Sequence, residues 1–172
     1  MLFLYYICIL KKYNIMKITD THVYFWDGIY SNFYPVTFLY KNKIFVNSEQ
    51  AFMWEKAIAF NDHEMAYKIM NSNKPSDAKK FGRNVKNFND KEWDKVKEQI
   101  MFDVVFTKFN SNILLKKELI STNNKILVEA SPFDKIWGVG LDQNNPDILD
   151  ENKWKGQNLL GKVLMNVRNK LK

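Results

Sequence analysis

The sequence predicts an α+β fold, a helix-rich single domain with a few short antiparallel strands. Apolar residues recur at helical spacing over most of the chain, whereas β-type runs are short and grouped early and late. The 172 residues fit one domain, with no internal repeat or low-complexity linker. A hydrophobic content of 46% supplies a core, and a charged content of 26% supplies a hydrated surface.

The first predicted elements are strands. The run HVYFW, from His22 to Trp26, ends at the turn signal Asp27-Gly28. The segment VTFLYKNKIFV, residues 36–46, is typical of a hairpin that turns at Lys41-Asn42. Between these two β-type runs lies YSNFYP, which we interpret as a polar and aromatic loop that Pro35 ends.

Helices are predicted to follow. Asn47 is the candidate N-cap of the helix NSEQAFMWEKAIAF and stands in a capping-box relation to Gln50. Asp62 is placed to cap a second helix that runs to about Met70. A short third helix, KPSDAKKFGR, is expected to end at Gly82.

The longest predicted helix starts at Asp90 and has an apolar stripe that we expect to face the core. The stripe consists of Trp93, Val96, Ile100, Val104 and Val105. Ser111 is expected to open the helix NILLKKELI, and residues 125–130 form a predicted strand. SPFDKIWGVG is then a predicted loop, and a last helix closes the chain on Leu159, Val163, Leu164, Val167 and Leu171.

The net charge, the single cysteine and the N-terminal residues bear on the partners and the location of the protein. A net charge of +7 favours anionic ligands, but the lysines are dispersed, so a nucleic-acid partner is possible and not favoured. The lone Cys8 predicts a reducing, cytoplasmic location. Residues 1–15 are apolar but too short to span a membrane, so we expect an extension or a misassigned start, with the domain over residues 16–172. The oligomeric state is not predicted.

Glu49 and Lys56 are the first candidates for chemistry. Seven residues are about two helical turns, so the two side chains share one face roughly 10 Å apart. A structural alternative is that Glu49 favours the helix dipole and that Lys56 is a surface lysine.

Other candidates are expected to bind. Trp93 and Trp137 are suited to stacking on a base, although Trp93 also fits the core. The loop residues Ser31, Asn32 and Phe33 are candidates for ribose hydroxyls, and Arg83 for a phosphate. His22 and His63 are isolated and no metal or cofactor motif is present, so we expect neither a metal nor a cofactor.

Six blocks of the sequence, taken in order, resemble the YbiA-like or NADAR family from about Trp26 to the C-terminus. The blocks are SNFYP, SEQAFMWEKA, AKKFGR, EWDKVKEQIMFDVVFTKF, ILVEASPFDKIWGVG and GQNLLGKVLMNVR. The resemblance implies an α+β domain that hydrolyses N-glycosidic bonds. Two substrate classes are associated with the family, namely phosphoribosyl-amine intermediates of riboflavin biosynthesis and ADP-ribose attached to guanine.

The resemblance places the family's catalytic residues on Glu49, Trp93 and Asp134. It adds Gly138 and Asn158 to the expected substrate-binding residues. The chain departs from the family pattern where a histidine often follows the acid, because it has Gln50 there. It also has Val139 where an acidic residue is frequent.

Three functions remain open from the sequence. The first is an N-glycosidase that acts on a small phosphorylated ribosyl substrate, the riboflavin intermediates, and releases ribose 5-phosphate. The second is an ADP-ribosyl-guanine hydrolase acting on nucleotides or nucleic acid. The third is a binding module for ADP-ribose without catalysis. In either enzyme, Glu49 and Asp134 are expected to share acid and base roles that the sequence does not assign. If the ring of the ribosyl group that the resemblance implies opens, the Lys56 amine is a candidate to capture C1′ as an imine.

Overall fold

The computed structural model describes residues 16–172, so the predicted extension over residues 1–15 lies outside the described residues. The strands are β1 (Met16–Ile18), β2 (His22–Phe25), β3 (Phe38–Tyr40), β4 (Lys43–Phe45) and β5 (Ile126–Glu129). The helices are α1 (Ser48–Ala59), α2 (His63–Met70), α3 (Pro75–Arg83), α4 (Asp90–Asn110), α5 (Ile113–Ile120) and α6 (Leu159–Leu171). Two 3-10 helices, Pro146–Leu149 and Glu151–Lys153, precede α6. The predicted α+β class is confirmed.

The described chain divides into two compact units. The first unit holds residues 16–31, 118–170 and 172, and the second holds residues 32–117 and 171. Each unit has its own buried apolar cluster. That residues 16–172 act as one domain stays a prediction.

The first unit is built on a three-stranded sheet in the order β1-β2-β5. β1 pairs with β2 in antiparallel fashion, and β5 pairs with β2 in parallel, with Phe25 opposite Glu129. The expectation of antiparallel strands is therefore wrong for this pair. A parallel pair requires a long crossover, and residues 26–125 separate the two strands in the sequence.

The second unit joins a hairpin to helices α1 to α4. β3 and β4 pair around Lys41 and Asn42, whose φ angles of 46° and 59° form the tight turn that the sequence predicted. Asp62 caps α2 by accepting a hydrogen bond from the Met65 amide at 3.0 Å, as predicted. The buried cluster of this unit includes Phe38, Phe45, Trp54, Ala57, Ile69, Ala78 and Val104.

Gly82 does not end its helix, contrary to the prediction, because α3 continues to Arg83 and is capped at Asn84. The glycine is buried instead, and a Cβ placed there would overlap the side chain of Met53 on α1. Gly82 thus allows close packing of two helices rather than a turn.

The buried face of α4 also differs from the prediction. Trp93, Val104 and Val105 are buried, but Val96 is 40% exposed. The buried face instead includes Met101, Lys108 and Phe109. The sequence did not predict this face correctly because one of its members, Lys108, is charged. A pattern that counts only apolar residues includes Val96 and omits Lys108. At the end of α4, Ser111 is the C-cap, and α5 is capped by Asn112, not by Ser111.

Candidate functional site

The start of α1 places Glu49 in a buried position. Asn47 is the N-cap, as predicted, and its Oδ1 accepts a hydrogen bond from the Gln50 amide at 2.8 Å. The Glu49 amide donates to the carbonyl oxygen of Asn32 at 3.0 Å. Glu49 is 5% exposed and lies in the first turn, where the helix dipole favours a negative charge. The helix start therefore fixes an acid beside the predicted ribose-binding loop.

Gln50 explains one departure from the family pattern. Its side-chain oxygen accepts a hydrogen bond from the Val46 amide at 3.0 Å, so only the Asn47 half of the capping box forms. Its side-chain nitrogen donates to the carbonyl oxygens of Ile69, Met70 and Ser72. Gln50 is thus a buried structural residue that ties α1 to the end of α2.

Residues 32–35, which we call the aromatic loop, contact three elements of the second unit. The side-chain amide of Asn32 donates to Met101 Sδ at 3.4 Å. Lys79 Nζ lies 5.8 Å from the ring centroid of Phe33, and Lys108 Nζ lies 5.6 Å from that of Tyr34. Both lysines face aromatic rings closely enough for cation–π attraction. Helices α3 and α4 therefore bring two lysine amines to the loop that also contacts Glu49.

Lys108 is a residue that the sequence analysis missed. It is 1% exposed, and burial lowers the pKa of its amine to about 7. Its position, four residues after Val104 on the buried face of α4, is the signal from which it could have been found.

Two buried polar atoms near the helix start have no hydrogen-bond partner within the described residues. These atoms are Oδ1 of Asn32 and Oγ of Ser48. An unsatisfied buried polar atom costs about 1–3 kcal/mol, so such atoms call for a ligand or an ordered water. Oδ1 is an acceptor and Oγ both donates and accepts, which suits the hydroxyl groups of a sugar.

Lys56 is half-buried in the last turn of α1 and contacts an aromatic ring. Its Nζ lies 3.8 Å from the ring centroid of Phe88. Burial lowers the pKa of the Lys56 amine, and the nearby Asp90 carboxylate opposes that effect. A lowered pKa enlarges the neutral, nucleophilic fraction of an amine, so the proposed imine chemistry is compatible with this position.

Trp93 lies in an aromatic cluster of the second unit. It is 8% exposed, and its ring centroid lies 5.3 Å from that of Phe52 and 6.3 Å from that of Phe60. Such packing is typical of core tryptophans. Its catalytic role stays a prediction, as does phosphate binding by Arg83, which is exposed at the end of α3.

In the first unit, Asp134 organises the loop that follows β5. Its Oδ1 accepts hydrogen bonds from the amides of Ile136 at 3.0 Å and Trp137 at 2.8 Å. Its own amide donates to Ser131 Oγ at 3.2 Å. Asp134 therefore has a structural task in addition to any chemistry.

Gly138 and Asn158 connect this loop to the start of α6. The Asn158 amide donates to the carbonyl oxygen of Gly138 at 3.1 Å. The Asn158 side chain donates to the Leu127 carbonyl at 2.9 Å and accepts from the Glu129 amide at 3.0 Å. The amides of Leu159 and Leu160 donate to loop carbonyls as well, so this helix start is not an open anion site. Substrate contacts by Gly138 and Asn158 stay predictions.

The predicted site residues fall into the two units. Asn32, Phe33 and Glu49 come together in the second unit, which also holds Lys56, Arg83 and Trp93. The first unit holds Ser31, Asp134, Trp137, Gly138 and Asn158. Glu49 and Asp134 belong to different units, so their action as a pair stays a prediction.

Metal binding and membrane spanning each require a recognisable arrangement of residues. Among residues 16–172 no group of three or more His, Cys, Asp and Glu side chains is arranged to hold a metal ion. Over the same described residues, none of the helices has the length and apolar character needed to cross a membrane.

Comparison with known proteins identifies the family. A family model described as the NADAR domain matches residues 24–172. The chain belongs to the NADAR family. This NADAR chain is 43% identical over 163 residues to N-glycosidase R617 of Acanthamoeba polyphaga mimivirus, with 87% of this chain and 96% of that protein covered.

Two further relatives of the NADAR chain are informative. The NMR structure of YbiA from Escherichia coli matches with a TM-score of 0.73 and 29% identity, over 90% of this chain and 87% of that one. Riboflavin biosynthesis protein VVA0006 of Vibrio vulnificus is 27% identical over 172 residues, which cover 97% of this chain and 42% of that protein. The resemblance inferred from the six sequence blocks is therefore confirmed.

Proposed function

We propose that this protein hydrolyses the N-glycosidic bond of reactive phosphoribosyl-amine intermediates of riboflavin biosynthesis and releases ribose 5-phosphate. The NADAR match over residues 24–172 carries the proposal, since it extends over both units. The enzyme class, a hydrolase of N-glycosyl bonds, is that of the mimivirus relative named N-glycosidase. The substrate class is supported by the name of the Vibrio vulnificus relative.

The chemistry assigned to Glu49 follows from its position. In the reaction the bond between C1′ and nitrogen breaks, water supplies a hydroxyl group to C1′, and the leaving nitrogen gains a proton. The transition state resembles an oxocarbenium ion, and a buried carboxylate stabilises its positive charge or activates the water. Asn32 and Ser48, which lie next to Glu49, offer polar atoms for the ribose hydroxyls.

Four further residues are assigned roles in this reaction. Asp134 is assigned as the second carboxyl group, which protonates the leaving nitrogen. Trp93 completes the catalytic set that the family implies, and Arg83 is assigned to the phosphate. Lys56 is assigned an alternative route in which its amine attacks C1′ of the opened sugar. The bond from C1′ to the heterocyclic nitrogen then breaks, and the heterocyclic amine leaves with a proton while C1′ stays bound to Lys56 as an imine. Water hydrolyses this imine, which releases the sugar and restores the Lys56 amine.

The proposal is tested by comparing two buried glutamates on the same helix. Glu49 and Glu55 are 5% and 4% exposed, but Glu55 is ion-paired with Lys41 at 2.7 Å, on the hairpin. We expect Glu49→Gln to lower the turnover of the riboflavin intermediates by at least about 100-fold. Glu55→Gln should retain turnover and lose thermal stability instead.

The assay includes the two riboflavin intermediates and ADP-ribosylated guanosine. Turnover of the intermediates that is lost in Glu49→Gln and kept in Glu55→Gln supports the proposal. Release of ADP-ribose from guanosine alone would assign the protein to the second function. No turnover of any substrate by the wild type would leave a binding module and contradict the proposal.

A further inference from the structure

Two aromatic side chains of the first unit are in contact and exposed. Trp26 is 46% exposed and Phe133 is 85% exposed. Their ring centroids lie 6.0 Å apart, with planes inclined at 53°. Large exposed aromatic rings in contact with each other are unusual on a surface that has no partner, and they often mark a binding site.

Both rings stand at the same edge of the sheet. Trp26 directly follows β2, and Phe133 follows β5 by four residues. Because β2 and β5 are parallel, their carboxyl ends lie at the same edge of the sheet. The Ala130 amide donates a hydrogen bond to the Phe25 carbonyl oxygen there, so the pairing continues one residue beyond β5. Ligands commonly bind at the carboxyl ends of parallel strands.

The loop that carries Phe133 is held in place on both sides of the ring. Asp134 binds the amides of Ile136 and Trp137 through its carboxylate and bonds to Ser131 Oγ through its own amide. The Gly140 amide donates to the Asp134 carbonyl at 3.2 Å. Phe133 therefore lies on a loop that several hydrogen bonds hold in place. It precedes Asp134, the residue that we assign to protonation of the leaving group.

We infer that Trp26 and Phe133 form a stacking platform for the planar heterocycle of a ribosylated ligand. The identity of the ligand rests on the proposed function, because the group that leaves C1′ there is a heterocyclic amine. Stacking on an aromatic ring accepts any planar base. The rings that the sequence suggested for this task are less accessible, since Trp93 is 8% exposed and Trp137 is half-buried.

A small ligand fits this platform better than a protein partner does. An aromatic side chain buries about 150–250 Å² when fully covered, so these two partly exposed rings supply less than roughly 300–500 Å². A stable protein interface needs about 800 Å² on each partner. A single heterocycle, in contrast, covers about one ring face and needs no wider apolar surface.

The experiment measures binding by calorimetry with two probes that differ only by a base. Guanosine 5′-monophosphate is a stable phosphoribosyl heterocycle, and ribose 5-phosphate lacks the heterocycle. We expect Phe133→Ala and Trp26→Ala to weaken binding of the nucleotide about tenfold and to leave binding of ribose 5-phosphate unchanged. Tyr67→Ala is the matched control, because Tyr67 is an aromatic residue of the second unit that is 72% exposed. It should alter neither affinity.

Thermal melting checks that each variant is folded, and Phe133→Ala should melt like the wild type because its ring is exposed. Equal affinity of the wild type for both probes, equal weakening of both probes by Phe133→Ala, or no weakening at all would overturn the inference. The turnover assay distinguishes failure of the platform from failure of the proposed function. If the platform is wrong and the function is right, the riboflavin intermediates are still hydrolysed although the nucleotide is not preferred over ribose 5-phosphate.

A third probe, an eight-nucleotide single-stranded DNA, identifies the source of the heterocycle. Tighter binding of this strand than of the mononucleotide, lost in Phe133→Ala, supports the platform and identifies a base within nucleic acid as its ligand. Similar or weaker binding of the strand, together with nucleotide binding that is lost in Phe133→Ala, supports the platform and identifies a small metabolite.

Discussion

The two regions that carry the proposed carboxylates hold them in different ways. Glu49 sits on a helix, where the cap of Asn47 and burial fix its position. Asp134 sits in a loop, where its own carboxylate oxygen accepts two backbone hydrogen bonds. Helix α1 is held by its backbone hydrogen bonds, whereas two amides of the loop donate to a carboxylate oxygen of residue 134.

Because of this difference, a loss of activity is interpreted differently when each of the two acids is substituted. At Glu49 the loss of charge can be separated from the loss of structure, because backbone hydrogen bonds maintain α1. At Asp134 the two effects are combined, since one carboxylate oxygen satisfies two amides that would otherwise lack an acceptor. Two substitutions at Asp134 are needed to separate them.

The largest effect is expected at Asp134. Asp134→Ala removes both the acid and the loop acceptor, and we expect turnover of the riboflavin intermediates to fall about 100-fold to 10,000-fold, together with the melting temperature. Asp134→Asn keeps an oxygen that can accept from Ile136 and Trp137, so its melting temperature should stay near that of the wild type. Steady-state kinetics and thermal melting measure both.

The turnover of Asp134→Asn then decides the role of the acid. A loss as large as that of Asp134→Ala, with normal melting, supports the assignment of Asp134 to proton transfer. Wild-type turnover in Asp134→Asn would show that the residue acts through the loop alone, and Glu49 would then be the one proposed carboxylate left with a chemical role.

The helices could be predicted from the sequence because their signals are local. Asn47 and Asp62 cap the helices that follow them, and Lys41-Asn42 turns the hairpin. β1 was not predicted, since three residues, Met16–Ile18, are too few to show alternation. The parallel pairing of β2 with β5 was not predicted either, because it joins segments about 100 residues apart, which no local pattern encodes.

The candidate site was partly predictable for the same reason. The sequence placed Glu49 at a helix start and Asn32 in a loop, and the hydrogen bond between their backbones brings them together. Lys108 was missed because a lysine on a helix is normally assigned to the solvent. Its spacing of four residues from Val104 is a sequence signal for the buried face, but the burial itself depends on tertiary packing.

The next largest effect is expected on stability, at Lys108 in the second unit. Burial lowers the pKa of Lys108 to about 7 from 10.5, so the folded state releases a proton more readily than the unfolded state. Below about pH 7 both states are protonated, and the folded state then holds a positive charge in a buried position. Stability should therefore rise with pH between about 7 and 10. Urea unfolding of the wild type at pH 6 and pH 9 measures this change.

Lys108→Met removes the titrating group and keeps an apolar stem of similar length. We expect the variant to exceed the wild type in free energy of unfolding at pH 6, by an amount on the order of a few kcal/mol, and to lose most of this advantage by pH 9. Lys91→Met is the control, because Lys91 is an exposed lysine of the same helix. An advantage of Lys108→Met that is equal at both pH values would contradict the assignment of a buried, titrating amine.

The smallest effects are expected from a glycine-to-alanine substitution made once in each unit. A Cβ at Gly156, in the first unit, would meet backbone atoms of Lys135 at 2.8 Å and overlap the Gly138 carbonyl oxygen. A Cβ at Gly82, in the second unit, would have side-chain atoms of Met53 as its three nearest neighbours. Backbone cannot move aside as a methionine can, so we expect Gly156→Ala to lower the free energy of unfolding by about 1–3 kcal/mol.

Gly82→Ala should lower it by less than about 1 kcal/mol, because the helix propensity of alanine offsets part of the Met53 displacement. Urea unfolding of both variants measures the difference. If Gly82→Ala is the more damaging change, α1 and α3 pack more rigidly than the two backbone segments around Gly138 and Gly156. The loop of Asp134 would then be the more adaptable of the two regions, and the normal melting expected of Asp134→Asn would no longer be evidence that this variant keeps the wild-type loop.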